Sequence, residues 1–171
     1  MTAPDNPSLE QVLLGLGANL GDRRANLRKG IDRLAAAGGI RVLAESPIYE
    51  SEPVGYRNQP PFLNLALGIE TTLPPESLLD VLLEIERSAG RVRTFLNAPR
   101  TLDIDILFYG RHTVRTPRLI IPHPRCRERA FVVVPLENLL THPAFRHDPW
   151  TSLREELKTN PARTGIKQFE T

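Results

Sequence analysis

The sequence contains few of the residues that mark secreted or membrane proteins. Its 171 residues include a single cysteine, Cys126, so no disulfide can form within the chain, which fits a reducing compartment. No apolar run approaches the roughly 20 residues that a membrane-spanning helix needs. The first ten residues are polar and lack the apolar region of a signal peptide. We therefore expect a soluble, cytoplasmic protein without a membrane partner.

The sequence also lacks a marked excess of charge of either sign. Its 22 basic and 20 acidic residues leave a formal net charge of +2, too small to imply a strong field for nucleic acid. With 40% hydrophobic residues the chain can bury a sizeable core, and its length predicts one domain over residues 1–171. We expect a monomer that does not bind nucleic acid.

The most informative segment is a predicted strand that carries two acids. From Leu102 to Phe108, apolar residues alternate with Asp103 and Asp105, which is the period of a strand buried on one face. The apolar residues, including Phe108, are expected on one face and both acids on the other. Because adjacent carboxylates repel each other and aspartate is unfavourable in strands, we expect a cation between them. Mg²⁺ fits, since it binds one or two carboxylates and completes its shell with water and phosphate.

Arginines near this strand shift the interpretation towards a phosphate site. The alternation alone favours a solvated edge strand with a charged outer face. However, Arg91, Arg93 and Arg100 lie just upstream, and arginine presents a rigid fork of donors that matches phosphate oxygens. Acids that hold a metal beside arginines that hold phosphates are what a magnesium–nucleotide site needs.

The glycines near the N-terminus match known nucleotide motifs only weakly. Residues 12–17 read as a buried strand, followed by a glycine turn and a helix that Asp22 caps and Gly38 and Gly39 end. Leu20 replaces the third glycine of a dinucleotide-binding fingerprint, and Asp22 stands where a P-loop requires lysine. Tight strand-to-helix packing is the simpler explanation for these glycines.

The remaining pattern predicts the order strand, helix, strand, strand, helix, strand. The later elements are a strand over 40–49 bent at Pro47, a loop over 52–61, a strand over 63–69, a helix opened by Pro74 and closed by Gly90, and the acidic strand. This order is that of a ferredoxin-like α+β fold with an antiparallel sheet and helices packed on it. Beyond it, we expect a strand at 131–134, a helix near 150–157, frayed last ten residues, and a further strand or two.

Three polar features stand out from these elements. Asn64 is the polar residue on an otherwise apolar strand face. Its amide either forms structural hydrogen bonds within the protein or recognises a ligand. Glu86 falls in the last turn of its helix, where the dipole disfavours an acid, although an exposed glutamate there costs little. Residues 121–129 carry His123 and three arginines, which suits either an anion site or a solvated basic loop.

Five blocks of the sequence together form a recognisable set. They are Gly17-Ala18-Asn19-Leu20-Gly21, Phe62-Leu63-Asn64, Gly90-Arg91-Val92-Arg93, Pro99-Arg100-Thr101-Leu102-Asp103-Ile104-Asp105, and Pro122-His123 with Arg129-Ala130-Phe131. In order and spacing they resemble the 6-hydroxymethyl-7,8-dihydropterin pyrophosphokinases of folate biosynthesis. The resemblance covers about residues 12–137, the implied catalytic core, and leaves a polar extension over 138–171. It implies an α/β sandwich that transfers a diphosphoryl group from ATP to the pterin hydroxymethyl group and releases AMP.

The resemblance also implies a role for each matching residue. Asp103 and Asp105 would hold two Mg²⁺ ions that bridge the ATP phosphates, and Arg91 and Arg100 would stabilise charge during transfer. The residues implied in ATP binding are Glu86, Arg93, Ile106, Arg118, His123 and Arg129. Those implied in pterin binding are Ser51, Val54, Phe62, Asn64 and Phe131, with Asn64 reading the ring edge between the two stacking phenylalanines.

The chain departs from the commoner family pattern in its loops. Thr94 and Ala98 replace a frequent lysine and tryptophan, in a loop that is one residue shorter, and Leu83 replaces a ribose-binding glutamine. These changes concern lid packing and ATP affinity. Lids over 52–61 and 94–98 would keep the reacting groups dry.

Two alternatives belong to other classes. A non-catalytic ferredoxin-like module for nucleotide or RNA needs a basic, aromatic sheet face, whereas the face here carries Asp103 and Asp105. An NAD-type oxidoreductase is weakened by Leu20. A requirement for Mg²⁺ in ATP binding would separate both from the pyrophosphokinase.

Overall fold

The computed structural model describes residues 8–170, which form eight strands, four α-helices and one short 3₁₀ helix. The strands are β1 (Glu10–Ala18), β2 (Ile40–Glu45), β3 (Tyr49–Ser51), β4 (Phe62–Thr71), β5 (Asp103–Tyr109), β6 (Val114–Arg115), β7 (Ile120–Ile121) and β8 (Ile166–Gln168). The helices are α1 (Arg23–Ala36), α2 (Pro75–Ser88), α3 (Ala130–Leu139), the 3₁₀ turn Pro143–Phe145 and α4 (Trp150–Lys158). Over this part of the chain, every helix is too short or too polar to cross a bilayer.

The main sheet has the predicted ferredoxin-like topology. Its strand order is β5-β1-β4-β3-β8, with β2 also paired to β4, and every pairing is antiparallel. The first helix follows β1 and the second follows β4, so the βαββαβ order is confirmed. The acidic strand β5 lies at one edge of the sheet beside the central strand β1. A separate ribbon of β6 and β7 follows β5.

Helices cover both faces of the sheet. On one face, α1 and α2 bury their apolar stripes against residues such as Leu14 and Ile69 of the central strands. On the other face, α3 and α4 pack against residues such as Leu13 and Ala66. Because both faces are covered, β4 is buried along nearly its whole length. The core is therefore a three-layer sandwich.

The expected strand over 131–134 is wrong, because these residues lie in helix α3. The apolar run is rich in β-branched residues, which favours a strand locally. In the fold, however, Val132, Val133 and Leu136 are buried against the second face of the sheet. Burial of five residues of this helix outweighs a local preference that spans only about 1 kcal/mol per residue.

Two further expectations about the sheet are corrected. The strand expected over 40–49 is two strands, β2 and β3, separated at residues 46–48, where Pro47 has no N–H to donate to a neighbour. The tail expected to be frayed is held in place over residues 166–169, because β8 pairs with β3 and Phe169 N donates to Ile48 O at 2.8 Å; Thr171 lies outside the described residues. The extra strand expected in the tail is thus present.

A bulge in β5 changes the facing of its last residues. Leu13 of β1 pairs with Phe108, but Leu14 pairs with Ile106, so Leu107 is an extra residue in β5. The simple alternation predicted Phe108 and Ile106 on the same face of the sheet. The bulge places them on different faces. Phe108 packs with Leu107 on the side of α3 and α4.

Candidate active site

Every residue that the resemblance implies in catalysis or binding lines one cavity of about 810 Å³. The cavity lies at the end of the sheet where β1 finishes and where β4 and β5 begin. The loop over 52–61, the arginine-bearing segment after α2 and the basic loop before α3 form its walls. Residues that are far apart in the sequence therefore converge on one concave surface, as expected of a ligand site.

Asp103 and Asp105 face this cavity because β1 offers glycine opposite each of them. In the antiparallel register, Gly17 pairs with Asp103 and Gly15 pairs with Asp105. Paired residues share a face of the sheet, so no side chain of β1 covers either carboxylate. The expectation that these glycines serve strand-to-helix packing is wrong, since both line the cavity. This role of the glycines depends on the pairing register of β1 with β5, which the sequence alone does not give.

The two carboxylates differ in their partners. Asp103 accepts from Arg91 Nη1 at 2.6 Å, and its second oxygen lies 3.6 Å from Arg100 Nη1. Within residues 8–170, Asp105 makes no ion pair, and desolvation raises its pKa to about 7, with the charges of Asp103 and Glu86 adding to the shift. A bound cation would reverse this effect by favouring the ionised form.

Glu86 is buried rather than exposed, which corrects the simplest interpretation of its place in α2. Its side chain accepts from Ile104 N at 2.8 Å and pairs with Arg91 Nη1 at 2.7 Å. Burial raises the pKa of Glu86, and Asp103 adds to this, while the hydrogen bond from Ile104 and the charge of Arg91 oppose it. Arg91 therefore bridges Glu86 and Asp103, and these two acids keep its pKa raised despite its burial.

Arg100 lies between the acids and an aromatic ring. Its guanidinium carbon is 5.2 Å from the centre of the Phe62 ring, a cation–π arrangement. Its Nε is buried and has no hydrogen-bond partner within the described residues. An arginine with a free donor beside two carboxylates has the chemistry to bind a phosphate oxygen.

The polar pair Asn64 and Ser51 marks the end of the cavity near β3 and β4. Asn64 Nδ2 donates to Ser51 Oγ at 2.8 Å, and both residues are buried. A Cβ on Gly17 would lie only 3.1 Å from Asn64 Oδ1, so glycine leaves room at this amide. Phe62 and Phe131 also line the cavity. This combination of aromatic rings with a buried amide suits a flat heterocycle.

Basic residues also line the cavity. Burial lowers the pKa of His123, and the positive charge of Arg129 lowers it further. Arg93 is largely exposed, 3.5 Å from Glu86, and Arg118 forms ion pairs with two acids of α2, Glu76 and Asp80. Arg118 is therefore already paired in this structure, a feature that the sequence did not indicate.

The residues fit a magnesium–phosphate site better than a self-contained metal site. Among residues 8–170, no group of three or more His, Cys, Asp or Glu side chains is arranged to hold a metal. Two carboxylates with neighbouring arginines match Mg²⁺, which keeps several waters and relies on substrate phosphates for ligands. The donor set thus fits an ion that arrives with a nucleotide.

Comparisons with known proteins show which sequences this chain resembles. The profile of the 7,8-dihydro-6-hydroxymethylpterin-pyrophosphokinase family matches residues 13–141. A 2-amino-4-hydroxy-6-hydroxymethyldihydropteridine pyrophosphokinase of Methylorubrum extorquens is 47% identical over 163 residues, covering 95% of this chain and 100% of the relative. The enzyme of the same name from Bacillus subtilis is 37% identical over 156 residues, covering 91% of this chain and 93% of its own.

Solved structures support the fold. A Plasmodium falciparum HPPK-DHPS triple mutant with pteroate superposes with a TM-score of 0.67 at 15% identity, covering 98% of this chain. This chain spans 48% of that longer protein. Together, the family profile and the relatives show that the chain belongs to the 7,8-dihydro-6-hydroxymethylpterin-pyrophosphokinase family.

Proposed function

We propose that this chain transfers a diphosphoryl group from ATP to the hydroxymethyl group of 6-hydroxymethyl-7,8-dihydropterin, a step of folate biosynthesis. The hydroxymethyl oxygen attacks the β-phosphorus, the bond between the α- and β-phosphoryl groups breaks, AMP leaves, and the hydroxyl proton is released. The observation that carries the proposal is the adjacency, in one cavity, of two carboxylates with arginines and of a buried asparagine with aromatic rings.

The metal requirement follows from the two acids. Asp103 and Asp105 would hold two Mg²⁺ ions, which supply positive charge to the phosphates of ATP when bound. Both acids face the cavity opposite Gly15 and Gly17, which have no side chain that could cover the carboxylates.

The arginines near these acids stabilise charge during transfer. Phosphoryl transfer depends mainly on positioning and on charge stabilisation, so a strong general base is not required. Arg91 is held by Glu86 and Asp103, and Arg100 by Phe62 and Asp103, which fixes both guanidinium groups beside the acids.

The two substrates occupy different parts of the cavity. The pterin lies near Ser51, Val54 and Asn64, with its ring between Phe62 and Phe131. ATP contacts another part, lined by Glu86, Arg93, Ile106, Arg118, His123 and Arg129. This division is supported by the chemistry of the lining, because a buried amide beside aromatic rings suits a heterocycle and basic residues suit phosphates.

The test is AMP release from ATP and Mg²⁺, with and without 6-hydroxymethyl-7,8-dihydropterin. AMP that depends on the pterin is expected, whereas an ordinary kinase would release ADP. Tight Mg-ATP binding without AMP would mean that the acceptor is different. ATP binding that does not require Mg²⁺, or no ATP binding, would instead favour a non-catalytic module.

A further inference from the structure

Asn19 lies directly after β1, and its side chain links two walls of the cavity. It is 2% exposed and is not among the residues that line the cavity. Its Nδ2 donates to Gln59 Oε1 at 2.8 Å and to Pro60 O at 3.0 Å. Its Oδ1 accepts from Arg100 N at 2.9 Å. Both amide hydrogens and the oxygen are therefore engaged, each by a different segment or atom of the site.

A second bond makes the link to Arg100 reciprocal. Asn19 N donates to Arg100 O at 3.1 Å, so the two residues exchange hydrogen bonds through backbone and side chain. This exchange holds the backbone of Arg100 against the end of the central strand. The position of the Arg100 guanidinium between Phe62 and Asp103 depends on where that backbone is held.

Gln59 extends the link from Asn19 to Asn97, at the start of the segment 97–100 that ends at Arg100. While its Oε1 accepts from Asn19, its Nε2 donates to Asn97 O at 2.9 Å. Asn97 has a φ of 60°, an uncommon left-handed conformation for a residue other than glycine, which persists only where neighbours hold it. Residues 97–100 are thus held at one end through Gln59 and at the other through Asn19.

We propose that Asn19 is a positioning residue for the diphosphoryl transfer, acting through Arg100. Arg100 stabilises charge only if its guanidinium group meets the phosphates in the correct place, and a displacement of about 1 Å can cost roughly a hundredfold in rate. Asn19 connects the backbone of Arg100 to Pro60, two residues before Phe62. The inference rests on the proposed function, because Arg100 has this task only if transfer occurs.

The test is a double-mutant cycle of Asn19→Ala and Arg100→Ala. In the wild-type background, Asn19→Ala is expected to lower kcat by roughly tenfold to a hundredfold, with changes in KM for either substrate below about threefold. In the Arg100→Ala background, the same substitution should lower kcat by less than about threefold. Equal losses in both backgrounds would overturn the proposal, since Asn19 would then act independently of Arg100.

Thr71→Val is a matched control for the loss of buried hydrogen bonds. Thr71 is fully buried at the far end of β4, where its hydroxyl donates to Gly39 O at 2.7 Å and accepts from Leu73 N at 3.0 Å. The Thr71→Val variant should have a lower Tm, as Asn19→Ala should, but its kcat should be unchanged. If Asn19→Ala lowers only the Tm, its role is structural and the proposal is wrong.

A second variant covers the case in which Asn19→Ala does not fold. Gln59 is half-buried in a loop, and Gln59→Ala removes the partner of Asn19 and the bond to Asn97. It should lower kcat with the same dependence on Arg100, and full activity would overturn the proposal. A wild-type chain without pterin-dependent AMP would overturn the proposed function and this inference together, whereas an active wild type beside an active Asn19→Ala overturns this inference alone.

Discussion

The carboxylate of Asp105 shows how one residue can be unfavourable for the fold and useful for the site. It lies on an edge strand, faces a cavity, and has no ion-pair partner within residues 8–170, while nearby Asp103 is paired with Arg91 and Arg100. Desolvation and neighbouring acids raise its pKa to about 7. Such an arrangement is typical of functional sites rather than of residues selected for stability.

We expect Asp105→Asn to abolish AMP release while leaving the protein folded. Asparagine keeps the shape of the side chain but removes the charge that would hold Mg²⁺, and loss of one such contact typically costs at least about 10²–10³ in rate. Stability should stay the same or rise, because a neutral amide avoids the desolvation of a carboxylate. AMP release and thermal unfolding would be measured together.

Asp32→Asn serves as the control for Asp105→Asn. Asp32 is exposed on α1, away from the cavity, so neither activity nor stability should change much. Near-normal AMP release by Asp105→Asn would contradict the metal assignment.

At the scale of elements, the second helical layer depends on one glycine of β4. A Cβ at Gly68 would lie 2.2 Å from Phe145 Cζ, which no real contact allows. Phe145 is fully buried in the 3₁₀ turn and stacks edge-on against Trp150 at the start of α4, with ring centres 6.4 Å apart. The polar extension beyond residue 138 therefore contributes a packed apolar layer to the sheet.

We expect Gly68→Ala to lower the free energy of unfolding by about 1–3 kcal/mol through overpacking. Phe145→Ala should cost about 3–5 kcal/mol through the cavity it leaves. In the double variant, the alanine at position 68 has space because the Phe145 ring is gone. The double variant should therefore lose less stability than the sum of the losses of the two single variants. Urea unfolding of the four proteins measures this, and strictly additive costs would show that the two positions do not pack together.

At the scale of the whole molecule, the sheet carries its site at one end and its cores on both faces. This separation lets charged groups gather in the cavity without entering either core. Histidine His123 lies at this boundary, where burial and Arg129 favour its neutral form. Its folded-state pKa is therefore lower than that of the unfolded chain, which is near 6.5.

The contribution of His123 to stability should consequently fall in acid. At pH values between its two pKa values, the unfolded chain binds a proton at this residue that the folded chain does not, so His123 lowers the free energy of unfolding as the pH falls below about 6.5, whereas the raised pKa values of Asp105 and Glu86 act in the opposite direction. The stability of His123→Gln relative to wild type should therefore rise as the pH falls over this interval, whereas His147→Gln, an exposed control, should follow wild type. Parallel curves for wild type and His123→Gln would contradict this expectation.

Local sequence determined much of the fold by itself. Apolar spacing identified α1, α2, α4 and most strands, and Asp22 caps α1 as expected, accepting from Ala25 N at 3.0 Å. The order of these elements was enough for the topology, because short connections in this order leave few arrangements. The acids of β5 were also evident, since alternation is a local property of the chain.

Tertiary structure alone decided the features that depend on distant neighbours. Helix α3 forms against its local preference because its apolar residues cover the sheet, and β8 is ordered because β3 offers it an edge. The openness opposite Asp103 and Asp105 depends on the register of β1, and the bond from Arg100 to Asn19 joins residues 81 positions apart. Such contacts carry no periodic signal, so they become visible only when the chain is folded.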